Sequence, residues 1–160
     1  MTETPALALL QTGWPTYQGK LVSAVVPLTA AQLDLRLGPN LRTVRTQIAH
    51  IIAARAYWYH LVMQEGPAEI APVAGWDDEG QPAWTASELV SGLERTWAII
   101  AGGLARYTPA DLAQTFPRPR NPSQARARQW IVWHVLEHDL HHGGELSFVL
   151  GANGLPAIDL

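Results

Sequence analysis

The stretch Trp133-His134-Val135-Leu136-Glu137-His138-Asp139-Leu140-His141-His142 holds four of the six histidines in this chain of 160 residues. His134, His138 and His142 are four residues apart, so on a helix they lie about one turn apart along one face. Two imidazoles at this spacing can bind the same transition-metal ion. The motif occurs once in the sequence, so further ligands must come from another part of the fold.

The composition predicts one folded domain, residues 1–160, and argues against several classes of function. The chain is 48% hydrophobic and 16% charged, which is typical of a globular protein. Its net charge of -3 gives no electrostatic basis for binding nucleic acid. Without cysteine it has no disulfide, no thiolate nucleophile and no thiolate metal ligand. No signal peptide or membrane-spanning apolar run is evident, so we expect a cytoplasmic protein.

Two helices are predicted in the first half of the chain. The first covers 17–26, with Pro15 suited to its first turn, and residues 4–12 form a short extra helix. The second follows an N-cap at Thr43. Its apolar residues recur at helical spacing until Gly66.

Two further helices are predicted in the second half, after a loop over 68–84. Thr85 and Glu88 form a capping box at the start of the third helix. A second proline-rich loop follows, and Ser123 then caps a fourth helix over about 124–150. No strand pattern is evident. The prediction is therefore an all-α four-helix bundle.

His50 on the second helix is the best candidate for a further metal ligand. Its neighbours are apolar, and no carboxylate lies between Thr43 and Gln64 to pair with it. His138 and His142 lie on an otherwise apolar face of the fourth helix, where buried imidazoles need partners. Each histidine alone is compatible with an ordinary core or surface role. Together they favour a three-histidine site that leaves positions open for water or substrate.

Two other kinds of metal site fit less well. His134 to His138 match the H-x-x-E-H motif of one metalloprotease class, but few residues remain downstream for its further ligand. Helical di-iron sites need several carboxylates, and the second helix has none.

Four segments resemble the DinB-like (YfiT-like) superfamily of bacterial helical metalloproteins. Residues 28–33 resemble the linker after its first helix, and Ile48-Ala49-His50-Ile51 resembles its second-helix histidine segment. Residues 138–145 resemble its H-x-x-x-H-R-G-Q segment, and 150–156 resemble its usual exit. The resemblance extends over about 14–156.

The resemblance implies that His50, His138 and His142 bind a divalent metal, zinc or nickel. The Arg-Gly-Gln of the family is replaced here by Gly143-Gly144-Glu145, so its arginine is missing. Glu145 adds a carboxylate that can accept a hydrogen bond from an imidazole N–H. Similar members of the family include thiol S-transferases and a thiol-dependent isomerase.

We therefore expect a metal-dependent S-transferase that uses a low-molecular-weight thiol. The metal would produce a thiolate at neutral pH, and His134, His141 or Glu145 would move protons. One alternative is a metal-dependent hydrolase that activates water. Another is a non-enzymatic metal-binding module whose tryptophan-rich surface binds a partner. Trp76 and Trp84 lie in or next to the long loop, where they could line the mouth of a pocket. We expect a small-molecule substrate and neither nucleic acid nor membrane as partner; the choice between a monomer and a homodimer stays open.

Overall fold

The computed structural model describes residues 5–119 and 121–159, which are built mainly of helices. In chain order, the numbered elements are α1 (Pro5–Val25), α2 (Ala30–Leu33), α3 (Val44–Ala56), α4 (Ala86–Arg106), α5 (Pro109–Ala113), β1 (Thr115–Arg118), β2 (Asn121–Ala127) and α6 (Arg128–Ala152). The long helices α1, α3, α4 and α6 form the bundle. The predicted four-helix architecture is confirmed, with a short antiparallel hairpin of β1 and β2 added to it.

The long helices pack through apolar faces. Helix α4 contacts both α1 and α3, and α3 also contacts α6. Leu89, Leu93, Ile100 and Leu104 form the buried face of α4. The predicted capping box starts this helix, since Thr85 Oγ1 accepts from the backbone N–H of Glu88 at 3.3 Å. Among the described residues, no helix combines the length and the apolarity that a membrane span requires.

Helix α1 is continuous through Pro15, where we predicted a short helix over 4–12 and a separate one from 17. Residue 4 lies outside the described residues. Leu7, Trp14 and Leu21 recur at seven-residue intervals, and all three are buried. The free energy gained by burying this face therefore exceeds the cost of the intrahelical hydrogen bond that Pro15 cannot donate.

The predicted second helix and the loop after it differ from expectation in detail. Thr43 caps α3 as predicted, because its hydroxyl accepts from a backbone N–H of the first turn at 3.2 Å. Beyond α3 the chain continues as a π-helix, Tyr57–Val62. The predicted loop begins with a 3-10 helix, Ala68–Gly75, which packs on α3 and buries Ile70 and Val73. This packing brings the next part of the loop beside His50.

Helix α6 begins later than predicted, because residues 121–127 pair with β1. Ser123 lies in β2 and does not cap the helix; its hydroxyl donates to Oδ1 of Asn121 at 2.8 Å. The backbone N–H of Arg128 instead donates to the carbonyl of Gln114 at 2.8 Å. Prolines in both strands, and the absence of an alternating apolar pattern, explain why the sequence did not predict a hairpin.

Candidate metal centre

Three histidines from two helices meet on one side of the bundle. His50 belongs to α3, whereas His138 and His142 lie on successive turns of α6. One ring nitrogen from each residue can be chosen so that all three lie within 4.8 Å of one another. Nε2 of His50 and Nε2 of His138 are 3.1 Å apart. The predicted residues are thus brought together in a group that could hold a metal ion.

Burial favours the uncharged form of two of these rings. Burial lowers the pKa of His138 to about 3, and repulsion from the neighbouring His142 and His50 adds to this effect. Burial also lowers the pKa of His142, although its hydrogen bond to Glu145 opposes the shift. Both imidazoles are therefore neutral at neutral pH. Neutral imidazole is the form that binds a transition metal.

Carboxylates orient two of the three rings. Nδ1 of His50 lies 2.6 Å from Oδ2 of Asp77, and Nδ1 of His142 lies 2.7 Å from Oε2 of Glu145. An ionised carboxylate can only accept, so Nδ1 of His50 carries the proton and its Nε2 keeps its lone pair. Nδ1 of His142 also lies 2.6 Å from the amide nitrogen of Gln47, so this ring is held by a carboxylate and an amide together. Histidines that bind metals typically have such an acceptor at the other ring nitrogen.

Both carboxylates are stabilised in their ionised form by these contacts. Burial raises the pKa of Asp77, but the hydrogen bond and charge of His50 outweigh it, so the net pKa is lowered. The pKa of Glu145 is lowered in the same way, with burial opposed by His142, His141 and the amide of Gln47. The Gln47 amide donates to Oε2 of Glu145 at 2.6 Å.

The donor set fits a divalent transition metal. Nδ1 of His138 is buried and has no hydrogen-bonding partner among the described residues, so no carboxylate orients this ring. Nε2 of His138 lies 3.1 Å from Nε2 of His50. That nitrogen of His50 keeps its lone pair because Asp77 holds the proton on Nδ1 of the same ring. Imidazole ligands suit zinc, nickel and copper. Three of them leave positions open for a further ligand.

An open cleft lies in front of His50 and His138, with a volume of about 350 Å³. We call it the histidine cleft, and the residues of its lining that matter below are His50, Tyr57, Asp77, Arg118, His134 and His138. The cleft gives a small molecule access to the nitrogens of two candidate ligands.

The three residues expected to move protons occupy different places. His134 lines the histidine cleft, and its ring stacks on Trp130 at 4.6 Å between centroids. His141 is exposed, lies 3.3 Å from Oε1 of Glu145 and is not part of the cleft lining. Glu145 contacts His142 and borders a separate depression, outside the lining of the histidine cleft.

The sequence analysis missed Asp77 as the partner of His50. The second helix contains no carboxylate between Thr43 and Gln64, and Asp77 reaches His50 from the loop after that helix. The available signal was the acidic pair Asp77-Asp78 in that loop. Trp76 and Trp84 also lie near it, stacked on each other at 4.2 Å. They line a neighbouring depression and not the histidine cleft.

Comparisons with known proteins agree with this architecture. A family model described as the DinB superfamily matches residues 17–146. The crystal structure of a DinB-like protein from Bacillus cereus ATCC 10987 is similar, with a TM-score of 0.68 and 16% sequence identity over 92% of each chain. At this identity the likeness concerns the fold. No curated protein matches the chain.

Proposed function

We propose, since this chain belongs to the DinB superfamily, that it is a metal-dependent S-transferase. It would join a low-molecular-weight thiol to an electrophilic small molecule. The observation that supports this most is the convergence of three imidazoles, two of them in contact with carboxylates, where His50 and His138 line an open cleft. A purely structural metal site is usually closed by four protein ligands, whereas three leave room for a reactant.

His50, His138 and His142 would hold the metal. When bound there, zinc or nickel would lower the pKa of an incoming thiol, so that it is a thiolate at neutral pH. The protein contains no cysteine, so the nucleophilic sulfur must belong to a small molecule. Such thiols are kept reduced in the cytoplasm, which is where we place the reaction.

His134 is the residue best placed to accept the thiol proton. Its ring lines the histidine cleft and is held between Trp130 and Trp58, with the Trp58 ring edge-on at 5.2 Å between centroids. Its side chain is 30% exposed, so it can pass the proton on to solvent. Histidine is the side chain that most readily gains and loses a proton near neutral pH.

Conjugation of a thiol to a chromogenic electrophile tests this proposal. The protein is purified without a His-tag, loaded with zinc or nickel, and assayed with bacillithiol, mycothiol or glutathione, which the family resemblance suggests. We expect turnover that needs both metal and thiol and that is lost in His138→Ala. His60→Ala is the matched control, because Nδ1 of His60 bonds the Glu65 carbonyl away from the cleft.

Two other outcomes would support the alternative functions. Turnover of ester or amide substrates without added thiol would indicate a hydrolase, for which the same open site would activate water and His134 would again take the proton. Stable metal binding without turnover of any thiol or electrophile would indicate a non-enzymatic metal-binding module.

A further inference from the structure

Several buried polar atoms around the histidine cleft have no hydrogen-bonding partner within the described part of the chain. Five buried side-chain nitrogens or oxygens have no partner among the described residues. Three of the five belong to residues that line this cleft, namely the Tyr57 hydroxyl, Nε of Arg118 and Nδ1 of His138. Buried polar groups are costly to leave unpaired. Their concentration around one opening therefore points to a ligand.

Arg118 is the cation of this cleft. It is the last residue of β1, and its guanidinium carbon lies 5.1 Å from the centre of the Trp58 ring. Its side chain makes a single long hydrogen bond, to Gln124 at 3.3 Å, and no salt bridge within the described residues. The Trp58 ring packs against the guanidinium, whose charge forms no ion pair with a carboxylate of the described residues.

Buried arginines elsewhere in the bundle form ion pairs with carboxylates. Arg55 pairs with Asp139 at 2.7 Å, and Arg128 pairs with Glu65 at 3.1 Å. A guanidinium presents a planar fork of N–H groups that matches a carboxylate. Arg118 presents such a fork in a lining that it shares with His50 and His138, and no carboxylate of the described residues forms a salt bridge with it.

We propose that the histidine cleft binds a thiol that carries a carboxylate, with Arg118 as the counterion of that carboxylate and the Tyr57 hydroxyl as an additional donor. This inference rests on the proposed function, because it identifies the chemical class of the thiol. The sulfur lies toward His50 and His138, and the carboxylate lies toward the hairpin.

The acidic residues of the cleft affect how tightly such a ligand binds. Asp77 is occupied by His50. Asp78 also lines the cleft, and its carboxylate makes no hydrogen bond or salt bridge within the described residues. Its negative charge opposes that of any anionic ligand in the same cleft, so the attraction of Arg118 must outweigh it.

Binding of two matched thiols to the zinc-loaded protein tests the inference. Mercaptopropionate carries a carboxylate where mercaptoethanol carries a neutral hydroxyl. Calorimetry should show that the wild-type protein binds mercaptopropionate about tenfold or more tightly than mercaptoethanol. Arg118→Gln should bring the two affinities together, Arg118→Lys should give an intermediate ratio, and Asp78→Asn should increase the preference.

Arg126→Gln is the matched control. Arg126 lies on the same hairpin, and its guanidinium carbon lies 4.9 Å from the centre of the Trp130 ring, but it does not line the cleft. The preference should be unchanged in this variant. Loss of the preference in both variants would mean that disturbing the hairpin, and not losing the counterion, is responsible, which would overturn the inference.

Uptake of zinc or nickel, measured by mass spectrometry, separates this inference from the proposed function. If wild-type protein binds neither zinc nor nickel, the proposed function fails. If zinc binds but both thiols bind equally well, or if Arg118→Gln keeps the preference, the inference about the carboxylate is overturned while the metal site stands. Circular dichroism of each variant verifies that the bundle has folded.

Discussion

Arg55 and Asp139 form an ion pair in which neither side chain has any solvent exposure. Nη2 of Arg55 donates to Oδ2 of Asp139 at 2.7 Å, and its Nε lies 3.0 Å from Oδ1. The indole N–H of Trp14 also donates to Oδ2, and Oε1 of Gln18 accepts from Nη1 of Arg55. The pair links α3 to α6, next to His138. It therefore helps to fix the two helices that carry the three histidines.

We expect Asp139→Asn to destabilise the fold strongly, because it keeps the shape of the side chain but leaves the Arg55 charge buried without a counterion. Breaking a buried ion pair typically costs about 3–5 kcal/mol in the free energy of unfolding. Asp34→Asn is the matched control, since Asp34 is 65% exposed and pairs with Arg45 near the surface. Its cost should stay below about 1 kcal/mol. Urea denaturation measures both, and similar losses would contradict a special role for the buried pair.

Loss of any one of the three histidines should abolish tight metal binding. His50→Ala, His138→Ala and His142→Ala each remove one of the converging nitrogens, and two imidazoles alone hold a divalent metal far more weakly. His60→Ala should keep full metal content, because His60 bonds a backbone carbonyl elsewhere. Metal stoichiometry by mass spectrometry measures the effect. Full occupancy in His50→Ala would rule out the three-ligand site.

Asp77→Asn should weaken metal binding without abolishing it. The substitution removes the negative acceptor that fixes the proton on Nδ1 of His50. Loss of such an outer partner typically lowers metal affinity about 10- to 100-fold. Glu79→Gln removes an exposed carboxylate of the same loop and should change the affinity little. Competition with a chromophoric chelator measures both, and equal affinities for Asp77→Asn and wild type would show that packing alone orients His50.

Removal of the metal should lower the melting temperature but leave the helices in place. Zinc fingers unfold without metal because they have almost no core, whereas this bundle buries an extensive apolar core that includes Leu21, Ile52, Leu93, Ile100 and Val135. A bound metal then adds only its binding free energy to the stability of the fold. Circular dichroism before and after chelation is the measurement. A random-coil spectrum after chelation would show that the metal has the main structural role.

Local signals in the sequence were enough to predict most helices and the three histidines. Thr43 and the pair Thr85 and Glu88 cap their helices through contacts within one turn, so the sequence alone reveals them. His138 and His142 also lie one turn apart. His50 could be added to them because its apolar surroundings suggested burial.

The polar contacts that complete the site are long-range, and this is why the sequence did not reveal them. Asp77 reaches His50 from a loop whose path depends on the packing of the 3-10 helix Ala68–Gly75 against α3. Arg55 and Asp139 are 84 positions apart in the chain, and neither belongs to a recognisable motif. Side chains that pair across a fold leave no periodic pattern, so no local feature of the sequence associates them.

Gly143 and Gly144 should respond in opposite directions to substitution by alanine. The family resemblance places an arginine at position 143, but here a Cβ at that position would overlap the hydroxyl of Tyr17. That hydroxyl is buried and donates to the carbonyl of Asp139, so it cannot move aside freely. We expect Gly143→Ala to destabilise the fold by about 1–3 kcal/mol through overpacking. A Cβ at Gly144 would meet nothing within 4 Å, so Gly144→Ala should stabilise it by up to about 1 kcal/mol.

Helix propensity alone would make both substitutions stabilising. If the free energy of unfolding falls in one variant and rises in the other, the difference is due to the steric contact with Tyr17. Urea denaturation of the two variants gives the signs directly. Adding Tyr17→Phe to Gly143→Ala should recover only part of the loss, because the carbon that carries the hydroxyl would still lie 2.9 Å from the new Cβ. If Gly143→Ala stabilises the protein as Gly144→Ala does, then Tyr17 does not occupy this space in solution. Position 143 would then be open to the arginine that the family carries there.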